Sequence, residues 1–291
     1  MRGRRAGILL PVFSLPGRGL VGDLGPGARR FLEFLAEGGQ RVWQLLPVGP
    51  TTEEGGNSPY SSPSAFAIDP LLISLEDLVA DGLLGPGDLS PVRSHEGCVD
   101  YAAARAWKRP RRARAVRIFR RESARWAREL EAFRAEHAAW LGDFALFLAL
   151  RSALDGRSWT AWPAAIRDRE TAALAEARST HAEAVEHHEI LQFLAHRQWA
   201  RLREEAADLG VELLGDMPLY VAHESADVWA HPELFAVGPE GLPKVVAGVP
   251  PDYFSDTGQL WANPVYRWEA HAADGYAWWR TRLDQALRLF D

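Results

Sequence analysis

Between residues 6 and 47 the chain runs strand, helix, strand, and this rhythm limits its architecture more than any other feature. Ala6–Leu10 is a short apolar run followed by a glycine-rich loop. Pro26 then opens a helix, "PGARRFLEFLAEGG", with Phe31, Leu32, Phe34 and Leu35 at helical spacing and Gly38-Gly39 as its stop. "RVWQLLPVGP" supplies the next strand, closed by Pro47, and the loop "TTEEGGNSPYSSPSAF" follows it. Such alternation predicts parallel α/β architecture. From about residue 101 to 208 the pattern turns helical, rich in Ala, Arg, Glu and Leu, with turn signals at Asp155-Gly156 and Trp162-Pro163. A third apolar run, Val211–Leu214, ends on Gly215 and Asp216. The segment "GVPPDYFSDTGQLWANPVYRW" reads as irregular, and "GYAWWRTRLDQALRLF" as a closing amphipathic helix. A closed (β/α)₈ barrel needs eight strands in about 250 residues. With three candidate strands, either the sheet is small and open, or the chain stops partway round a barrel.

Composition narrows the function classes. The 291 residues suffice for one large domain or two ordinary ones, and 47% hydrophobic with 25% charged residues describes a soluble globular protein. A net charge of −6 exerts no general pull on nucleic acid or anionic membrane, so neither is expected as a partner. Cys98 is the only cysteine, which excludes an internal disulfide and a thiolate zinc cluster and fits a cytoplasmic location. "MRGRRAGILLPVFSLPG" superficially resembles a signal peptide, but Pro11 interrupts its short apolar run and no small-x-small site follows. Nothing approaches the roughly 20 apolar residues of a membrane span. The 12 tryptophans exceed ordinary usage about threefold. Flat aromatic faces pack cores, and they also pack on the apolar faces of sugars.

Several motifs dissolve on inspection. "GRGLVG" matches the dinucleotide pattern G-x-G-x-x-G, yet Gly25 and Pro26 intervene before the helix and the next strand lacks an acidic residue for a ribose. A flexible loop is the better reading. The arginines from Arg109 to Arg121 alternate with apolar residues and precede Glu122, Glu129 and Glu131, as on a solvated, ion-paired helix face. His181, His187, His188 and His196 share a helical stretch without forming H-E-x-x-H, since Gln192 occupies the second histidine's place. No metal or other cofactor is assigned, and no G-x-S-x-G elbow occurs.

The loops at the C-terminal ends of the strands differ in kind. One offers Ser58 and Tyr60, another offers Asp252, Phe254, Gln259, Trp261 and Asn263, and the third strand's tip offers Asp216. Hydroxyls, amides and carboxylates give directional hydrogen bonds while aromatic faces cover apolar surface. That mixture suits a polyhydroxylated ligand with apolar ring faces, a sugar. Asp216 could serve chemistry or only hold the substrate.

"SLPG", "WQLLPVGPT", "NSPYSSPSAFAIDP", "GDMPLYVAHESADVWAHPELF" and "VVAGVPPDYFSDTGQLWANPVYRW" closely resemble the amylomaltases, the bacterial 4-α-glucanotransferases or disproportionating enzymes. The resemblance keeps its order from near the N-terminus to the last residue. It implies an α-amylase-like (β/α)₈ barrel that moves α-1,4-glucan segments between a maltooligosaccharide donor and acceptor by a retaining mechanism, with an aspartate nucleophile and a glutamate acid/base. Such chemistry needs two carboxyl groups about 5 Å apart. By the resemblance, Asp216 supports the sugar site and is not the nucleophile. Ser58 and Tyr60 match the loop contacting glucan; Asp252, Phe254, Gln259 and Trp261 match the loop covering the groove, with Asn263 beside them. Ala262 departs from a family glycine, Glu224 from a family aspartate, and "TTEEGGNSPY" lacks an aromatic that some members carry.

The family's fourth strand carries R-x-D-H-F-R-G with the nucleophile, and the sequence reaches Asp291 before such a motif. The expectation is therefore a partial (β/α)₈ TIM barrel of three strands with a large helical insertion: residues 1–70 hold the first strands, 71–209 the insertion, and 210–291 the third strand, covering loop and helix. A fragment of this kind should be inactive alone and should expose an apolar sheet edge. The rival readings are a non-catalytic glucan-binding remnant, a hydrolytic relative, and, at a distance, a dehydrogenase built on "GRGLVG".

Overall fold

In the computed structural model, which describes residues 4–90 and 97–291, three short strands form one parallel sheet in the order β1-β2-β3. These are β1 (Gly7–Leu9), β2 (Val42–Gln44) and β3 (Glu212–Leu214), with Gly7, Val42 and Glu212 in one register row. The first residues of the leader-like stretch, 1–3, lie outside the described residues.

Helix α1 (Pro26–Glu37) joins β1 to β2, starting with proline in its first turn and passing into Gly39 at φ +69°. It buries Ala28, Leu32 and Leu35, the leucines contributing about 1.5–3 kcal/mol each. Phe34, placed by its spacing with the core residues, is 58% exposed, because it lies one position off the buried stripe.

Between β2 and β3 the described chain is mainly helical: α2 (Leu75–Ala80), α3 (Tyr101–Arg121), α4 (Ser123–Glu136), α5 (Leu141–Ala153), α6 (Ala164–Arg167), α7 (Thr171–Thr180) and α8 (Ala182–Asp208). The turn signals at Asp155-Gly156 and Trp162-Pro163 fall at the end of α5 and just before α6. The 27-residue α8 is the spine of the molecule, packing against α5, α3, α1 and β3. Two of its glutamines imitate a backbone. Gln192 accepts from Ile68 N–H (3.0 Å) and donates to Ile68 C=O (2.8 Å). Gln198 does the same to Ser74, at 2.7 and 3.0 Å. The chain after β2, which has no strand partner there, is thereby hydrogen-bonded as buried backbone must be.

After β3 come α9 (Ala226–Ala230), an antiparallel pair β4 (Val246–Val249) and β5 (Gln259–Pro264), α10 (Trp268–Ala273) and α11 (Ala277–Leu289). The hairpin corrects the irregular reading of this segment. Its strands show no apolar alternation because most of β5 is exposed, and Pro250-Pro251 masks the turn.

Within "GRGLVG", Gly17 and Arg18 are exposed, while Gly19, Val21 and Gly22 are buried. A Cβ on Gly22 would lie 1.9 Å from the Val12 carbonyl oxygen, so close backbone approach demands the glycine, and no phosphate-binding role is needed to explain it. Eight of the 12 tryptophans are buried, which accounts for most of their excess as core. No described helix is long and apolar enough to cross a membrane.

Candidate functional site

Both β2 and β3 point their C-terminal ends at the same recess. Beyond β3 the chain passes Gly215, where a Cβ would meet the Phe290 ring at 2.3 Å, and delivers Asp216 to the rim. Beyond β2, Tyr60 reaches across and donates its hydroxyl to Asp216 Oδ2 at 2.6 Å. The hydrogen bond to Asp216, helped by partial burial, pushes the Tyr60 phenol up to about 12. The phenol thus stays protonated and donating throughout the physiological range. Ser58 Oγ accepts from the Tyr60 N–H at 3.3 Å and fixes the turn that carries the ring. Pro47, Gly49 and Ser62 form one wall of the recess; Phe66, Arg282 and Gln285 line it as well.

The remaining candidates gather on the β4–β5 hairpin. Trp261 Nε1 donates to Gln259 Oε1 (2.9 Å), and Asn263 Nδ2 donates to Val221 C=O (2.8 Å), tying the hairpin to the loop after β3. Asp252 Oδ1 accepts the N–H groups of Phe254 and Ser255, both at 2.9 Å, so this carboxylate holds the hairpin tip. Phe254 is 87% exposed at that tip. The structure therefore brings Tyr60 and Asp216 into one recess, and Trp261 and Asn263 into a second. Ser58, Asp252, Phe254 and Gln259 line neither of the two.

The second recess contains a network the sequence reading did not assemble. Ser158 Oγ donates to Glu224 Oε1 at 2.5 Å, and His223 Nδ1 lies 3.4 Å from the same oxygen. Burial alone would raise the Glu224 carboxyl, but hydrogen bonds from His223 and Ser158 outweigh it and hold the group below its ordinary value. Burial likewise opposes charge on His223, yet Glu224 and the Gly241 carbonyl raise it. Arg282 and Gln285 were also missed. In sequence they look like surface residues of an amphipathic helix, and only the packing of α11 shows them to be buried. Among the described residues no three His, Cys, Asp or Glu side chains converge as a metal site.

Asp216 is the single carboxylate among the described residues lining the first recess. Alone, hydrogen-bonded by a neutral phenol, it can accept hydrogen bonds from hydroxyls and bias a sugar ring's position. The 4-alpha-glucanotransferase family profile matches residues 10–291. A 4-alpha-glucanotransferase of Thermus thermophilus is 49% identical over 288 residues, 99% of this chain and 57% of that protein. One from Synechocystis is 45% identical over 292 residues, again 99% of this chain and 57% of the relative. Among solved structures, an amylomaltase from Streptococcus agalactiae in complex with acarbose superposes with a TM-score of 0.94 at 37% identity, covering 99% of this chain and 58% of that one. The chain thus spans somewhat over half the length of the relatives it matches.

Proposed function

The chain belongs to the 4-alpha-glucanotransferase family, and on that premise we propose that it forms the glucan-holding face of an enzyme that passes α-1,4-glucan segments between maltooligosaccharides. The observation that carries this reading is the meeting of Tyr60 and Asp216, 156 residues apart, beyond the C-terminal ends of two adjacent parallel strands. That is where (β/α)₈ enzymes keep their sites. The side-by-side order of β1, β2 and β3 agrees with the opening of a (β/α)₈ barrel, and the likeness to the Streptococcus agalactiae amylomaltase supports a partial barrel over a doubly wound sheet, which would share this order over its first three strands. In this reading residues 71–209 are the helical insertion. Asp216 supports a bound glucosyl unit, Ser58 and Tyr60 shape the loop that touches it, and Asp252, Phe254, Gln259, Trp261 and Asn263 form a flap over the groove. The acarbose bound by the Streptococcus agalactiae relative supports an oligosaccharide ligand.

Retaining transfer needs two carboxyl groups about 5 Å apart, and the recess has Asp216 alone among its described lining residues. This polypeptide by itself therefore binds glucan without transferring it. Calorimetry with maltohexaose or acarbose should show saturable binding that Asp216→Ala weakens. Incubation with maltotriose should leave the sugar unchanged; release of glucose together with longer maltooligosaccharides would overturn this part of the proposal.

A further inference from the structure

Arg282 lies on α11 at 2% exposure, with no carboxylate in direct ion-pair contact among the described residues; the buried Asp227 carboxyl feels its charge from farther off. A buried cation without a contacting carboxylate is costly and is not something helix packing alone calls for. Its hydrogen bonds go to the loop behind Asp216. Nη2 donates to the Pro218 carbonyl, and Nη1 donates to the Leu219 carbonyl and to the Tyr266 hydroxyl, both at 3.3 Å. Tyr266 in turn donates to Leu219 C=O at 2.8 Å. The guanidinium is held between rings, 5.3 Å from the centroid of Trp278 and 5.1 Å from that of Trp279. A planar fork so clamped fixes two successive carbonyls in a way a lysine ammonium cannot.

One turn further along α11, Gln285 Nε2 donates to the Phe66 carbonyl at 3.1 Å. Phe66 closes the loop that carries Ser58 and Tyr60. His196 Nε2, 3.1 Å away, faces the same amide. The two loops that meet at the Tyr60–Asp216 hydrogen bond are thus each tied down to one face of one helix. Other ties reach the same loops, from Asn263 to the Val221 carbonyl, from Tyr266 to the Leu219 carbonyl and from the Ala65 N–H to Asp227, but only α11 holds both loops from a single helix face.

We propose that Arg282, assisted by Gln285, is a positioning residue that holds Asp216 and Tyr60 at hydrogen-bonding distance by anchoring the loop behind each. The role in sugar binding rests on the functional reading above; the positioning of the pair does not.

The test uses the whole polypeptide with ring-¹³Cζ tyrosine, the Tyr60 resonance being assigned by its loss in Tyr60→Phe. Asp216→Ala gives the position of a Tyr60 hydroxyl without its acceptor. In Arg282→Met, which roughly keeps volume and removes the guanidinium donors, the Tyr60 resonance should move toward that position. Maltohexaose affinity should fall about tenfold, as for one or two net hydrogen bonds lost. Arg282→Lys should restore charge without restoring either readout. A Tyr60 resonance unmoved in a folded Arg282→Met protein would overturn the proposal, as would a shift fully restored by lysine. If Arg282→Met does not fold, Gln285→Leu takes its place with the same two readouts, and an unmoved resonance there overturns the role of α11. If the resonance moves but neither it nor Asp216→Ala alters maltohexaose binding, the positioning stands and the glucan reading falls.

Discussion

Lys108, one of two lysines in the chain, is fully buried in α3, where Nζ donates to Asp23 Oδ2 (2.7 Å), Leu71 C=O (2.9 Å) and Ile73 C=O (3.0 Å). All three ammonium donors are used, which is what makes the burial tolerable. Lys108→Met leaves buried Asp23 without its ion-pair partner, only Arg29 acting on it from farther off, and should cost about 3–5 kcal/mol in urea unfolding. The double variant with Asp23→Asn should recover part of that loss. Ala262 presents the opposite case, a small residue under strain. It sits within β5 at φ +60°, a region an alanine enters at a cost that glycine does not bear. Ala262→Gly should therefore stabilise the hairpin, by about 0.5–1 kcal/mol, visible as slower amide exchange across Gly248 and Leu260. Lys108 does not announce its environment in the sequence, and Ala262 does so only as a departure from a family glycine. Lys108 stands among arginines on a face that reads as solvated, and the backbone angle at Ala262 depends on a hairpin whose strands lack alternation.

At the level of elements, α8 does most of the organising, and it does so through amides as much as through apolar contact. Gln198→Leu preserves volume but strips hydrogen bonds from both the N–H and the C=O of Ser74, at 0% exposure. It should destabilise by about 2–4 kcal/mol in denaturant titration, more than a typical exposed-helix substitution. The strands and helices themselves were largely legible. Apolar runs bounded by Gly and Pro marked β1, β2 and β3, and the caps of α1 were plain in "PGARRFLEFLAEGG". What could not be read was how elements join. A glutamine that docks onto a loop 124 residues earlier carries no local signature, and neither does an arginine that faces inward from α11. For the same reason Tyr60 and Asp216 were legible as types suited to a sugar, while their contact had to await the sheet that aligns them. The sequence also placed Asp252 with them, and the structure uses that carboxylate at a hairpin tip.

Across the whole molecule, buried histidines should set the response to acid. Burial pushes His137 down to about 4 and His196, which also feels His137, down to about 3. Both groups are neutral when folded, with His196 Nδ1 against the Gln192 carbonyl (2.8 Å) and the two rings 4.9 Å apart. A depressed folded value means their contribution is intact above the unfolded pKa of 6.5 and is lost as pH falls below it. Stability from urea titrations should thus drop between pH 7 and 5, by about 1–2 kcal/mol for each histidine, and His137→Phe should flatten that slope. The His223–Glu224 pair works in the other direction at its upper end. The raised imidazole makes its contribution below its unfolded value and loses it as pH rises through the folded one, while the lowered Glu224 carboxyl makes its contribution above 4.5 and loses it as pH falls. His223→Phe should remove stability near pH 6 and change little near pH 9.

The paired glutamines of α8 carry one more consequence, for the order in which the chain is made. Ile68 and Ser74 wait for partners 124 residues downstream. At 5–20 residues per second, a ribosome delivers those partners roughly 6–25 s later. Through that interval β1, α1 and β2 emerge with Leu71, Leu72 and Ile73 uncovered, although all three end up buried. The nascent chain thus has a built-in pause with sticky surface showing, a window in which a holding chaperone or a slower-translated stretch ahead of α8 would decide how much of the product escapes aggregation.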